Sequence, residues 1–470
     1  MLLNNHHESL ISLSTTCKTF LFKNDFQSLF PEIFLVTAGI LLLVYGVIYS
    51  TSKDKNYPLL LINISWLSLL AFVFTFLLLI NSPVENAIIC YNTLVIDDFT
   101  TFIKGLILLS SFFCIFMSLD YIKQESINAF ECLVLLILST SSMLFLVSSA
   151  DFISLYLALE LQSLCFYVLA AIKRNSEFST EAGLKYFLLG AFSSGLLLFG
   201  CSLIYGFTGV TNFSELAQIF TGGTQEILTT TTSLPACELG MVFLLVGFLF
   251  KITAVPFHMW SPDVYEGAPT PITAFFLIVP KAALFGVFLR IFLESFYDFI
   301  LPWQKILLVS SICSMILGSV AALSQTRIKR LLAYSSIGHV GYLLAGFACG
   351  TIEGIQALLI YLFVYIFMNI NMFAFLLCCM RRENLQTVAR IKYITDLAFL
   401  AKTQPVLALT FTITMFSMAG IPPLAGFYSK AFLFFAAMSS NLYVLSVIGV
   451  LCSVLSCFYY IRLVKIMYFE

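Results

Sequence analysis

The sequence predicts an all-α polytopic membrane protein with about thirteen transmembrane helices. Hydrophobic residues make up 60% of the 470 residues and charged residues only 10%, against roughly 25% charged residues in a soluble domain. Apolar runs of about 18 to 25 residues recur from Glu32 to the end of the chain, and each can cross roughly 30 Å of hydrocarbon. These two observations, together with an alternation of charge between successive loops, indicate that lipid surrounds the protein.

The apolar runs place the helices in order along the chain. A polar N-terminal extension, residues 1–30, precedes one transmembrane domain, residues 31–470. We predict helices over 33–49, 59–80, 101–119, 129–149, 151–171, 183–206, 238–259, 271–294, 303–323, 328–348, 354–379, 404–437 and 441–466. The longest connections are 207–237, which is rich in Gly, Thr and Ser, and 380–403, which is basic.

Loop charges test this helix count, because correct spans place most loop lysines and arginines on one side of the membrane. One set of alternate loops carries fifteen basic residues, whereas the opposite set carries only Lys18, Lys23 and Lys305. A wrong count in the middle of the chain would scramble this asymmetry. We therefore expect the N-terminus on the non-cytoplasmic side, which is the intermembrane space if the membrane is mitochondrial.

Several classes of function are excluded by composition and spacing. Net charge is near zero and no basic run is interleaved with aromatic residues, so a nucleic-acid partner is not expected. The thirteen cysteines are scattered singly, apart from Cys378 and Cys379, and are expected to be small buried hydrophobes. No histidine pair has metal or haem spacing and no Gly-rich phosphate loop is present, so no metal site is expected.

Six basic residues fall inside the predicted spans, where charge is expensive. Three of them lie near a predicted helix end, and for Lys104 and Arg290 we expect the long side chain to reach the headgroups. Lys281 is about 15 to 20 Å from either surface at 1.5 Å per residue, too deep for such an escape. The six are Lys104, Lys185, Lys251, Lys281, Arg290 and Lys430.

The deep charges indicate a polar track through the membrane. Glu160 lies as deep as Lys281, and Lys251 and Lys430 lie in interrupted spans. Each group should face another or internal water, because an isolated central charge costs roughly 2.5 to 3.5 kcal/mol. A buried lysine near a movable carboxylate can load and release a proton. The alternative is a static ion pair of Glu160 with one lysine, which would leave two lysines without a carboxylate.

Two spans contain helix breakers beside these lysines. Pro256 follows Lys251 by five residues, and the run 420–426, GIPPLAG, precedes Lys430. Proline removes a backbone donor and glycine favours non-helical backbone, so both helices should be discontinuous, near 251–258 and 418–427. Broken helices beside charges are typical of transporters whose ions bind at mid-membrane. The alternative is two kinks that serve packing.

Two histidines are further candidates. His258 lies just beyond the Pro256 break, where it could pass protons at neutral pH or could cap carbonyls that the break frees. His339 lies mid-span among small residues, and we expect it to serve helix packing.

Five segments of the chain form a recognisable set. They are LALELQSLCFYVLA (157–170), EAGLKYFLLGAFSSG (181–195), FKITAVPFHMWSPDVYEGAPTP (250–271), QTRIKRLLAYSSIGHVGYL (325–343) and FSMAGIPPLAGFYSK (416–430). Together they resemble subunit 2 of respiratory complex I, NADH:ubiquinone oxidoreductase, in the form encoded in plant and algal mitochondria. The third and fifth segments are shared more loosely by all antiporter-like subunits, whereas the first is typical of subunit 2.

The resemblance implies a proton-translocating core membrane subunit of this redox enzyme, in the mitochondrial inner membrane with its N-terminus in the intermembrane space. The chain itself would bind no redox cofactor, because FMN, iron–sulfur clusters and ubiquinone would be bound by other subunits. Expected partners are the other membrane-arm subunits, especially neighbouring antiporter-like and small membrane subunits, and membrane lipids including cardiolipin.

The resemblance also implies roles for single residues. Glu160 on the fifth helix and Lys251 on the broken seventh would form a coupling pair, which Lys185 on the sixth would modulate. Lys281 on the eighth would be the central relay, and Lys430 on the broken twelfth would mark the exit half-channel. His258 would lie along the same axis.

One departure and two alternatives stay open at this point. The family's subunit 2 ordinarily has fourteen helices, and only thirteen are predicted in this sequence. A subunit of a multi-subunit cation/proton antiporter would share the broken helices and deep lysines, and a structural scaffold would carry silent charges. Sodium-dependent transport without NADH would favour the antiporter, and intact pumping in Lys281→Met would favour the scaffold.

Overall fold

The computed structural model describes residues 25–50, 58–82, 87–124, 130–221, 233–382 and 388–469. Most of the predicted N-terminal extension, residues 1–30, lies outside these residues. The fold is all-helical apart from two short β-hairpins, which confirms the predicted class.

Helices of the first half of the chain are long and follow the predicted order. They are α1 (Phe30–Tyr49), α2 (Pro58–Ile80), α3 (Asp98–Gln124), α4 (Glu131–Ser148), α5 (Phe152–Ala170), α6 (Glu177–Thr208), the short α7 (Phe213–Phe220), and α8 (Ser233–Ile252). A hairpin of β1 (Ala87–Ile89) and β2 (Leu94–Ile96) joins α2 to α3.

The second half continues with α9 (Trp260–Gly267), α10 (Thr270–Arg290), α11 (Ile300–Leu323), α12 (Ile328–Ala348), α13 (Ile352–Cys378), α14 (Leu400–Thr403), α15 (Pro405–Ala419), α16 (Ala425–Ser439) and α17 (Tyr443–Phe469). Strands β3 (Met380–Arg382) and β4 (Val388–Arg390) form the second antiparallel hairpin. A π-helical turn, Ile291–Ser295, extends α10.

Within the described ranges, twelve helices are long and apolar enough to cross a membrane. The broken pair α15 and α16 supplies one more crossing, so the prediction of about thirteen is confirmed. The central helix is α10, which packs against α3, α4, α5, α8 and α13 and is buried along its whole length. Lys281 is therefore carried by the helix that is most completely enclosed by others.

The connections are arranged as the predicted alternation of charge requires. On one face, the backbone N–H of Cys90 in the β1–β2 turn donates to Asp25 just before α1 (3.4 Å), and Ala150 N–H donates to Thr93 O (2.9 Å). On the other face, Ile328 N–H donates to Lys392 O (3.1 Å). The connections that carry few basic residues thus contact one another on one face. Two of the connections rich in basic residues contact each other on the opposite face.

Both predicted breaks are present, and both helices end in the same backbone motif. At the end of α8, Thr253 has φ +71°, its N–H donates to Phe250 O, and Ala254 N–H donates to Leu249 O. This is a Schellman motif, which satisfies carbonyls that the broken helix would otherwise leave free. The predicted span 238–259 is therefore wrong beyond residue 252, because the left-handed residue ends the helix three residues before Pro256.

The end of α15 repeats this arrangement. Gly420 has φ +86°, its N–H donates to Ser417 O, and Ile421 N–H donates to Phe416 O. Glycine is suited to this position because a left-handed φ strains residues that carry a Cβ. Two helices that each end in mid-chain beside a lysine thus share one cap geometry.

Two expectations about snorkelling lysine and arginine side chains are wrong. Lys104 on α3 is 2% exposed and donates to Glu32 on α1 at 2.6 Å. Arg290 is also buried, and its guanidinium donates to Asp97 at 2.6 Å. Both charges are balanced by a carboxylate from a distant part of the chain, so neither needs to reach the headgroups.

Candidate functional site

Glu160 and Lys251 face the same region but form no direct ion pair. Glu160 lies on α5, where its Oε2 accepts a long bond from the Ser163 hydroxyl (3.4 Å). Its Oε1 and the Lys251 Nζ are buried, and neither has a hydrogen-bond partner among the described residues. Glu160 is close enough for its charge to act on Lys251. Glu160 and Lys251 are therefore near each other without a direct ion pair among the described residues, so the static ion pair is not present.

A small cavity connects Lys251 to Lys281. Its volume of about 20 Å³ exceeds the roughly 10 to 15 Å³ that one water needs. Polar groups on its wall include Gln162, whose Oε1 is buried and unpartnered within the described residues. A water here would have two amines and an amide within its surroundings. The two lysines thus line one cavity, although they lie on different helices.

Lys281 has a neutral partner in place of a carboxylate. Its Nζ donates to the Tyr365 hydroxyl on α13 at 2.9 Å and lies 5.0 Å from the centroid of that ring. The Tyr365 hydroxyl in turn donates to Leu277 O (3.3 Å). Lys281 itself is 2% exposed. Its ammonium is therefore stabilised by a phenol oxygen and a π face, not by an opposite charge.

His339 occupies the space between the two halves of the site. Its Nδ1 is 2.6 Å from the Tyr361 hydroxyl and its Nε2 is 3.0 Å from the Tyr460 hydroxyl. Its ring lies 5.6 Å from the Tyr365 ring, centroid to centroid. The charges of Lys281 and Lys430 both act on it. The imidazole is hydrogen-bonded, as a packing histidine would be, but it also lies between the two deep lysines.

Lys430 is held by the break that precedes it. Its Nζ donates to Met418 O (2.9 Å) and Ala419 O (3.2 Å), the last carbonyls of α15, and it lies 5.1 Å from the Tyr342 ring centroid. A cavity of about 10 Å³ adjoins Lys430 and His339, with three serines and Tyr460 on its wall. The break thus supplies the oxygen atoms that a buried ammonium requires.

His258 and Lys185 lie outside this row. His258 is buried between α8 and α9, its carbonyl accepts from Ser261 (2.9 Å from N), and it lines neither cavity. Lys185 is partly exposed and pairs with Glu181 (2.6 Å) and with Asp263 (2.9 Å). The structure therefore places Lys251 and Lys281 on one cavity and Lys430 on the other, with Glu160 near Lys251, whereas His258 and Lys185 line neither cavity.

A charged cluster anchors the short helix α9, which follows the first break. Glu266 pairs with Arg327 and Arg330 at the start of α12, and Asp263 pairs with Lys185 on α6. Hydrogen bonding to Glu266 raises the pKa of the Arg327 guanidinium above its ordinary value. The cluster fixes α9 between α6 and α12, and with it Trp260, which lines the Lys251–Lys281 cavity.

We expect Glu266→Gln to lower the free energy of unfolding by about 1 kcal/mol, because it removes the charge that two partly exposed arginines share. Thermal unfolding of the detergent-solubilised complex measures this change. Glu238→Gln, at an exposed position in the second turn of α8, is the matched control and should be neutral. An equal loss in both variants would show that the cluster does not anchor α9.

The tyrosines of the site were missed by sequence reasoning. Tyr361 and Tyr365 are four residues apart, a spacing that places them on one face of a helix. The spacing is visible in the sequence, but it does not indicate which other helix packs against the face that carries the two tyrosines. His339 was predicted to serve helix packing. The sequence does not show that the hydroxyl groups of Tyr361 and Tyr460 lie at its two ring nitrogens.

Comparisons with known proteins place this geometry in a family. A family model described as NADH:quinone oxidoreductase/Mrp antiporter, transmembrane, matches residues 149–456, which include α5, α8, α10, α12 and α16. The chain belongs to this family. The predicted resemblance is confirmed by relatives named NADH–ubiquinone oxidoreductase chain 2.

Members of the family at high identity come from plant and bacterial sources. NADH–ubiquinone oxidoreductase chain 2 of Marchantia polymorpha is 61% identical over 451 residues, which cover 96% of this chain and 90% of that protein. NADH–quinone oxidoreductase subunit N of Paramagnetospirillum magneticum is 47% identical, over 95% of this chain and 88% of that protein.

Solved structures agree with the fold. A chain of respiratory complex I from Thermus thermophilus matches with a TM-score of 0.76 and 28% identity, over 94% of this chain and 90% of that chain. A chain of the Mrp complex from Dietzia sp. matches with a TM-score of 0.74, over 95% of this chain and 80% of that chain, but its 22% identity shows the fold alone.

Proposed function

We propose that protons pass through this chain along a buried row of Glu160, Lys251, Lys281, His339 and Lys430. The chain is a core membrane subunit of the proton-translocating NADH:ubiquinone oxidoreductase. The observation that carries the proposal is the bridge between Lys281 and Lys430. Tyr365 binds the Lys281 amine, and His339 lies beside Tyr365 and binds Tyr361 and Tyr460.

The chemistry of this row of residues suits the transfer of protons better than the permanent retention of a charge. Among the described residues, the three deep amines have neutral partners or none, so a proton can leave one of them without breaking an ion pair. The Lys251–Lys281 cavity has room for the water that would carry a proton between the two amines. Glu160, the one carboxylate of the row, can modulate the first amine by approaching or leaving it.

Energy for transport has to come from elsewhere in the assembly. Moving one charge against 100 mV costs about 2.3 kcal/mol, and the row contains only titratable side chains and their hydrogen-bond partners. We assign the source to electron transfer in other subunits, which would hold FMN, iron–sulfur clusters and ubiquinone. Many apolar side chains on the outer faces of α5, α6 and α17 are exposed, and they suit contacts with neighbouring antiporter-like subunits, small membrane subunits and lipid.

Orientation follows from the loop charges. The start of α1 lies on the face whose connections carry few basic residues, and this pattern supports an N-terminus in the intermembrane space of the mitochondrial inner membrane. The opposite, basic face is where anionic lipids such as cardiolipin would be attracted. Lys185 and His258 would then act indirectly, Lys185 through Asp263 on α9.

The alternative function, a subunit of a cation/proton antiporter, agrees with the fold but not with the names of the relatives at high identity. The relatives at 45% to 61% identity are named as subunits of NADH–quinone or NADH–ubiquinone oxidoreductases. The likeness to the Mrp complex concerns the fold. The redox-driven function is therefore favoured over sodium-linked exchange.

Replacing His339 by phenylalanine tests the bridge, because it keeps an aromatic ring and removes both nitrogen atoms. We expect proton uptake coupled to NADH oxidation to slow by about 100-fold, at the lower end of what a positioned acid–base group contributes. Reconstituted complex in vesicles with an internal pH dye measures it. Tyr205→Phe, an exposed tyrosine on α6, should be unchanged. Normal coupled uptake in the His339 variant would refute transfer through the bridge.

A further inference from the structure

We propose that Tyr167 is a positioning residue for Glu160, which it binds through one water, and that Gly190 leaves room for the Tyr167 hydroxyl. The inference rests on the proposed function and gives a role to a residue that lies in the segment 157–170 but was assigned none there. As a consequence, Glu160 has a second partner besides Lys251, and the carboxylate does not form a direct ion pair with the Lys251 amine.

Helix α5 presents the three residues concerned on one face. Glu160, Ser163 and Tyr167 are spaced by three and four residues, which aligns them along the helix. Ser163 donates to the Glu160 carbonyl (3.0 Å) and weakly to its carboxylate (3.4 Å). The Tyr167 hydroxyl lies near Ser163 and within electrostatic range of the Glu160 carboxylate.

Two buried polar atoms of opposite hydrogen-bonding character remain unpaired here. The Tyr167 hydroxyl and the Glu160 Oε1 have no partner among the described residues, although both atoms are buried. One can donate and the other can only accept. Each would cost about 1 to 3 kcal/mol if left unsatisfied, and one shared water satisfies both. The water would be held by a phenol and a carboxylate.

The ring of Tyr167 is fixed, so the position of its hydroxyl is defined. Tyr186 packs against it edge-on at 4.9 Å between centroids, and Phe187 does so at 5.6 Å. A Cβ added at Gly190 would come within 2.2 Å of the hydroxyl oxygen. Only glycine at this position leaves the hydroxyl where it is. The position of the hydroxyl therefore depends on two helices, because α5 carries Tyr167 and Gly190 on α6 leaves room for its hydroxyl.

The arrangement explains why Glu160 and Lys251 form no direct bond. A carboxylate with one oxygen bound on the Tyr167 side has less to gain from turning towards the amine. When the bound water exchanges or the carboxylate rotates, Glu160 can approach Lys251 and favour its charged form. Tyr167 thus supplies the second of the two states that a switch requires.

Tyr167→Phe tests this inference because it removes the hydroxyl and keeps the ring that packs against Tyr186 and Phe187. In the assembled complex, the carboxyl infrared band of Glu160, identified by its loss in Glu160→Gln, should shift. Coupled proton uptake should fall about tenfold, which corresponds to loss of a hydrogen bond to a charged group. Gly190→Ala should shift the same band by displacing the hydroxyl.

Gly195→Ala is the matched control, because it lies on the same helix and an added Cβ there meets nothing within 4 Å. It should leave the band and the uptake unchanged. An unshifted band in Tyr167→Phe overturns the inference, whether or not uptake falls, and leaves the proposed function in place. Normal pumping in Glu160→Gln would instead refute the role of Glu160 itself.

Discussion

Replacing Lys281 by methionine is expected to abolish proton translocation through this subunit and to slow NADH oxidation by at least about 100-fold. Methionine keeps an unbranched side chain in the enclosed core of α10 but cannot carry a proton. The Lys281 side chain lines the Lys251–Lys281 cavity, and its amine donates to the Tyr365 hydroxyl. Its loss therefore interrupts the row at its centre, and no other described amine lines that cavity except Lys251.

The measurements are the rate of NADH oxidation and the proton uptake per NADH oxidised in reconstituted vesicles, with the content of assembled complex determined in the same samples. Lys305→Met is the control, because Lys305 is exposed on α11 and faces neither cavity. It should retain full uptake. If Lys281→Met kept both the normal rate of NADH oxidation and the normal ratio of protons to NADH, the scaffold alternative would be supported, in which the deep charges are silent.

The transmembrane architecture could be predicted because each of its determinants is local. A helix long enough to span lipid is visible as a run of apolar residues, and the sidedness of the loops is visible in their lysines and arginines. The breaks were predicted from Pro256 and from the run 420–426. Their ends were not, because Thr253 adopts a left-handed conformation that the sequence signals only weakly.

The partners of the buried charges could not be predicted, since they depend on which helix faces meet. The carboxylate of Glu32 lies 72 positions from Lys104, and Asp97 lies 193 positions from Arg290. The same limit applies to Tyr365, which is 84 positions from Lys281. Spacing along one helix defines a face, but the contacts between faces come only from the tertiary structure.

The two Schellman ends show how a local motif serves the site. At α15 the freed carbonyls of Met418 and Ala419 accept the Lys430 amine. At α8 the carbonyl of Phe250 accepts from the indole of Trp260 (3.1 Å), and the Lys251 amine is left to the cavity. The same helix-ending motif thus binds the Lys430 amine at one break and leaves the Lys251 amine without a backbone partner at the other. This difference fits a row in which Lys430 is held in place and Lys251 can exchange protons.

Lys104→Met is expected to lower the free energy of unfolding by about 3 to 5 kcal/mol, because it leaves the Glu32 carboxylate buried without its counter-ion. Glu32→Leu alone should cost a similar amount by stranding the ammonium. The double variant should recover most of the loss, since apolar groups of similar volume can replace a buried pair at little cost. Unfolding of the solubilised complex by heat or denaturant measures all three, and losses below about 1 kcal/mol in both single variants would contradict a dry pair.

The same double variant separates a structural ion pair from the proton row. Lys104 is as deeply buried as Lys281, but its partner is a carboxylate at 2.6 Å and it lines neither of the two cavities. A proton that leaves Lys104 would have to abandon its counter-ion, whereas one that leaves Lys281 abandons only a phenol. The double variant should therefore keep full coupled uptake. If uptake fell with the folded complex intact, the distinction between amines paired with carboxylates and amines paired with neutral groups would not define the path.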